Sequence, residues 1–396
     1  MIAAALARWA VDLRPTATDD ALADRALLDS VACAVAAREH PVLARGRALT
    51  EAGRWGTATH VLDLDDLHLP STTHISTVCV PATLAVGGDA RDYLAGAGVM
   101  ARLGTTLGWS HYTAGWHATT TAGAMGAAAC AASRFGLDAA RTATALALAV
   151  PASGGVQRAF GTDAKSLQVG FAVEAGVRAA SLARDGAGAD IHAVDAWLRL
   201  VGAAATEAAD LGPEAAAVPD GLAIKIHPCC YALQRPIAAL HGIRGEVDPA
   251  TVERVVVRTP RGAVTPLLHH RPETGLEGKF SLEYAVAAAL LDEHCGFASF
   301  TDEAVRRPAA QRLLRLVEVE LSDGGDGLLD GEVDVDVRAR GEVRNVRLRL
   351  PPGAPQRPPT EVEMARKVEE CLAGTGLAAG DISWPDAPEL LRRALG

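Results

Sequence analysis

The chain is poor in aromatic residues, which make up 4% of its 396 positions, and it has only four lysines among 38 lysines and arginines. With so few rings, its core must be built from aliphatic packing. No apolar run reaches the roughly 18 residues that a membrane helix needs, so no membrane partner is expected. A basic excess is also missing. The formal charge is -10, which argues against a nucleic-acid or anionic-membrane partner. There is no phosphate loop, no dinucleotide fingerprint and no C-x-x-C pair, so no cofactor and no metal is expected. The cysteines (Cys33, Cys79, Cys130, Cys229, Cys230, Cys295 and Cys371) are odd in number and scattered through apolar surroundings. Such usage suits a reducing, cytoplasmic setting. Met1–Ala10 carries no basic stretch ahead of an apolar one and does not read as a signal peptide.

Alanine fills the first half of the chain. Segments 121–134, 139–150 and 165–184 combine it with Leu and Val at helical intervals, and Gly136, Gly186 and Gly188 sit where those helices should stop. The pattern changes near Val247. Residues 252–258 are β-branched, and 316–321, 333–338 and 343–350 alternate, with Gly341 as a turn between the last two. A helix over 282–291 interrupts these strands, and another is expected at 361–373. The fold class expected is therefore mainly α. A large all-helical domain spans 1–245, a smaller α+β lid domain spans 246–383, and a helix at 384–396 packs back on the first.

Five segments could carry chemistry. Asp63, Asp65, Asp66, His68 and His74 form an acidic, imidazole-containing cluster between apolar flanks; it can be read as an acid/base site, a metal site or a solvated loop. His117 precedes a hydroxyl-rich helix start with Thr119, a possible cradle for a carboxylate. Lys165 opens a helix against the helix dipole, an arrangement suited to binding anions. Lys225 leads a Lys-x-His-Pro-Cys-Cys run ending at Cys230, with Arg235 after it. Lys279 and Tyr284 share the last segment. Scarcity adds weight to the lysines. In so arginine-rich a chain, a surviving lysine marks a place where a compact, titratable amine is needed. Lys367, on the helix expected to lie outside, should by contrast accept arginine silently.

Taken in order, these segments resemble the MmgE/PrpD family of dehydratases, decarboxylases and epimerases of small carboxylic acids, above all in Gly115-Trp-His-Ala-Thr119, Ala164-Lys-Ser-Leu-Gln-Val-Gly170 and Lys225-Ile-His-Pro-Cys-Cys230. The resemblance implies a cofactor-free enzyme, a helical domain bearing a lid, a homodimer, and a small carboxylate substrate. It places Asp63, His74, His117, Lys165, Lys225 and Tyr284 in one catalytic cleft, with Lys225 near the hinge. Thr119, Cys230, Arg235, Lys279 and His68 would bind substrate. Cys230 stands where the decarboxylase branch has histidine, and Leu67 where that branch has threonine, so a hydro-lyase is favoured over a carboxy-lyase or epimerase. A metal-dependent hydrolase and an inactive scaffold are the remaining alternatives.

Overall fold

The computed structural model describes residues 1–205, 207–209, 211–212, 215–325, 327–328 and 330–396. The chain divides into two compact units, Met1–Ala223 with Ala365–Gly396, and Ile224–Met364.

The first unit is helical. Its elements include Ile2–Asp12, Ala17–Ala36, Glu51–Val61, Ser76–Ala85, Ala90–Thr113, Ala118–Arg134, Ala139–Ala149 and Ala164–Arg184, joined by Ala387–Leu395 and by helix Glu361–Leu372 from Ala365 onward. Starts are marked chemically. Thr16 and Asp89 each close a capping box with an aspartate three residues on, which satisfies otherwise orphaned N–H groups. The alanine-rich helix Ala118–Arg134 is buried almost throughout and packs between Ala90–Thr113 and Ala164–Arg184. Close approach makes this possible. A Cβ on Gly96 would lie 2.0 Å from Cys130 Sγ, and one on Gly176 would lie 2.3 Å from the Ala124 carbonyl oxygen. Small residues thus replace aromatic bulk as the means of filling this core.

The second unit is α+β. Its four strands are β1 (Val252–Pro260), β2 (Val317–Ser322), β3 (Val333–Ala339) and β4 (Glu342–Leu348), in the order β2-β1-β3-β4. β1 pairs in parallel with β2, Val255 opposite Val317, and antiparallel with β3, Val257 opposite Val335. A parallel pair needs a long crossover, and the helical stretch between β1 and β2, including Leu282–Leu291, provides it. Alternation sorts the residues. Val255, Val257, Val335 and Val337 join the core with helices Tyr231–His241 and Leu282–Leu291, whereas Arg254 and Arg258 pair outside with Glu318, Glu320 and Asp336. The helix and strand boundaries expected from sequence agree with these to within a few residues. Pairing between β3 and β4 turns at Arg340–Gly341, both with positive φ, as the turn signal implies.

One expectation is overturned in the first unit. Lys367 does not face outward. Helix Glu361–Leu372 buries Met364, Lys367, Val368, Cys371 and Leu372 on one face. The Lys367 ammonium pairs with buried Asp29 and donates to the Leu64 carbonyl at 2.9 Å. A charged residue on an amphipathic helix defaults to the solvent side unless it finds a buried partner, and this one finds two.

Candidate active site

Three helix ends of the first unit converge on one group of side chains. Glu51–Val61 contributes His60 from its last turn, Ala118–Arg134 contributes its N-cap His117, and Ala164–Arg184 contributes Lys165 from its first turn. The segment after Val61 supplies the acids. Its residue Asp63 adopts φ 59°, a left-handed conformation that a side chain rarely takes but aspartate tolerates just beyond a helix end. Asp63 Oδ1 lies 2.8 Å from Lys165 Nζ, and both side chains are largely buried. Lys165 also sits 5.5 Å from the Phe160 ring centroid.

Asp65 is the centre of the imidazoles. His60 Nδ1 is 2.7 Å from Asp65 Oδ2, and His74 Nδ1 is 3.2 Å from the same oxygen. The His60 ring is edge-on to His74 at 4.9 Å and stacks on His117 at 5.6 Å between centroids. Gln168 Nε2 lies 3.4 Å from His117 Nδ1. Two imidazoles thus meet one ionised carboxylate, and a third stacks on one of them. Burial pushes Asp65 upward, but the fields of His60 and His74 prevail and hold it well below the usual carboxylate range. Burial lowers His60 to about 4 against the pull of Asp65. Burial also drives His117 well down, helped by His60 and Lys165, so its imidazole is neutral at neutral pH. Of the three, His74 keeps the most exposure, its side chain being 14% accessible.

The neighbouring acid behaves oppositely. Asp66 is fully buried and is pushed up to about 7, first by burial and then by the field of Asp29, although it accepts the Ser76 N–H at 3.2 Å.

Several expected substrate contacts are turned to structural use. The His68 ring nitrogens meet Ser71 Oγ and the Pro219 carbonyl, each at 2.7 Å. Thr119 Oγ1 accepts the His74 N–H at 3.0 Å, while Thr120 and Thr121 hydroxyls donate to the His117 carbonyl, so the expected hydroxyl cradle points inward. In the second unit, Arg235 Nη1 donates to the carbonyls of Asp330, Gly331 and Arg349. The Tyr284 hydroxyl donates to the Ser299 carbonyl. Cys230 caps helix Tyr231–His241 and donates its N–H to the Lys279 carbonyl at 3.0 Å. Lys225 is the second residue of that unit.

His60 is the functional candidate that the sequence conceals. It closes a helix among residues that read as core, and its only signal is its place three residues ahead of Asp63. His60, Asp65 and His74 also offer three ligand atoms within 4.8 Å of one another, a set able to approach a metal ion.

Both halves of the chain match known domains. The MmgE/PrpD N-terminal domain matches residues 49–197 and the MmgE/PrpD C-terminal domain matches 227–379. The chain belongs to the MmgE/PrpD family. The C-terminal match runs past the second unit and includes Lys367, which packs with the first. Among relatives, cis-aconitate decarboxylase of Mus musculus is 26% identical over 295 residues, covering 67% of this chain and 59% of its own. The Homo sapiens protein of the same name is 25% identical (67% and 60% covered), and that of Aspergillus terreus is 23% identical (69% and 64%). This MmgE/PrpD chain thus spans about three fifths of the length of the curated relatives it matches. Among the described residues no helix is long and apolar enough to cross a membrane.

Proposed function

We propose that this protein is a lyase that acts on a small di- or tricarboxylate by moving a proton at the carbon beside a carboxylate, and that it is a hydro-lyase. The observation that carries the reading is the contact of His74 with ionised Asp65. Its Nδ1 lies 3.2 Å from Asp65 Oδ2 and its side chain is the most accessible of the three imidazoles, which makes His74 the proton acceptor in this reading. Dehydration requires such a base, whereas decarboxylation requires only an acid. Removing the proton puts charge on a carboxylate oxygen. Lys165, already held at the site by Asp63, is the cation that would stabilise it. The proton that His74 gains balances the one the leaving hydroxyl needs in order to depart as water. A neutral His117 offers a further hydrogen bond to the substrate. Lys225 enters this reading on the family motif alone.

The names of the matched relatives favour a second reading, a carboxy-lyase on the same residues. Proton NMR in deuterated water, with citrate, malate and cis-aconitate as probes, separates the two. A hydro-lyase exchanges deuterium beside a carboxylate and interconverts hydroxy acid and alkene with the carbon count unchanged. A carboxy-lyase yields carbon dioxide and a product one carbon shorter. If folded protein exchanged nothing with any carboxylate in a broad panel, both readings would be abandoned.

A further inference from the structure

Lys367 and Asp29 are fully buried, and each is ionisable. Burying a lysine–aspartate pair does not by itself stabilise a protein more than apolar residues of like volume would. A buried pair therefore calls for a further role, and the third partner supplies one. The ammonium donates at 2.9 Å to the carbonyl of Leu64, 303 positions away. Leu64 stands between Asp63, which holds Lys165, and Asp65, which contacts His60 and His74. Its side chain is buried and its segment belongs to no regular element, so its carbonyl has no helix or strand ladder to join. One amine thus holds the Leu64–Asp65 peptide, which adjoins Asp65 and lies one residue from Asp63.

We propose that Lys367, oriented by Asp29, is a positioning residue. It clamps the Leu64 carbonyl and so sets the reach of Asp63 toward Lys165 and of Asp65 toward the histidines. The inference rests on the catalytic reading of that loop. It also explains why arginine has not replaced this lysine. A guanidinium is longer and planar, and it cannot bring a single donor to Leu64 from the same helix position.

Two variants test the clamp by deuterium exchange on whichever probe carboxylate exchanges, with melting temperature recorded beside it. Lys367→Arg keeps the charge and the pair with Asp29 but displaces the loop. The double variant Asp29→Asn/Lys367→Met removes both charges together and with them the donor to Leu64. Each should lower kcat at least tenfold with KM within twofold, and the double variant should melt close to the wild type. A purely structural pair would instead move melting temperature and leave kcat per folded molecule unchanged, and that outcome in Lys367→Arg overturns the proposal. Should the double variant fail to fold, the Lys367→Arg rate decides. His117→Ala, measured in parallel, keeps the two ideas apart. If it is inactive while Lys367→Arg is at wild-type rate, the clamp is wrong and the site stands. If His117→Ala is itself fully active, the site assignment is what fails.

Discussion

The titratable residues around Asp65 in the first unit and those singled out in the second use their polar groups differently. In the first, titratable groups face one another: Asp63 meets Lys165, and Asp65 meets His60 and His74. In the second, they face the backbone. Arg235 serves three carbonyls, Tyr284 serves Ser299, and His227 Nδ1 lies 3.0 Å from the Cys295 carbonyl. A side chain committed to a fixed carbonyl stabilises the fold but has little freedom to exchange a proton. Groups that hold one another by charge stay reactive, because a substrate carboxylate can take the place of one partner. Chemistry in this chain is therefore expected to depend on the first unit's residues and stability on the second's.

The largest effects that would sharpen this contrast are on rate. Lys165→Arg and His117→Ala should each lose on the order of 10²–10³-fold in deuterium exchange, the scale of a single oxyanion donor, with melting temperature nearly unchanged. Lys225→Arg, chosen on the family motif, is the one second-unit exception, expected to lose rate to the same extent. A first-unit variant with full activity would erase the contrast.

Next comes a stability effect that depends on pH. Because Asp66 is pushed up to about 7, the folded chain keeps a proton that the unfolded chain releases near 3.9. That contribution is present at low pH and is lost as pH rises toward 7. Asp66→Asn should therefore be more stable than the wild type at pH 8, by on the order of 3 kcal/mol, and the gap should close below pH 4. Denaturant titrations at both pH values test the sign. His60 runs the other way. Its value near 4 means that stability falls as pH drops from about 6.5 toward 4.

Arg235→Met should cost about 2 kcal/mol, since it strands buried carbonyls, while folded molecules keep their exchange rate. Loss of activity without loss of stability would return Arg235 to the substrate-binding role its motif suggests. The smallest expected effect is that of His68→Asn, about 1 kcal/mol in stability and less than twofold in rate, read from the same two assays.

Much of this was legible in the sequence because it is local. The β-branched run of β1, the alternation in β3 and the Gly341 turn depend on residues a few positions apart. The closeness of Asp63 to Lys165 and of His74 to His117's helix followed from recognising a motif, not from spacing. What stayed hidden depends on distant partners. His60 looks like core until Asp65 folds back to it. Arg235 looks available until the carbonyls of Asp330, Gly331 and Arg349 surround it. Lys367 looks like surface until Asp29 is brought beside it.

That last pair also bears on the order of folding. The first unit is discontinuous, with Ala365–Gly396 completing it after the whole of Ile224–Met364 has been made. The Lys367 contacts with Asp29 and with the Leu64 carbonyl form only when the late segment arrives. A helical bundle of residues 1–223 alone would hold Asp29 without Lys367, and the Leu64 carbonyl without that donor. On the proposed clamp, the Leu64 loop is thus the last part of the bundle to set during synthesis, and a molecule cut short within the inserted unit would carry Asp63, Asp65, His74, His117 and Lys165 without the Lys367 contact at Leu64.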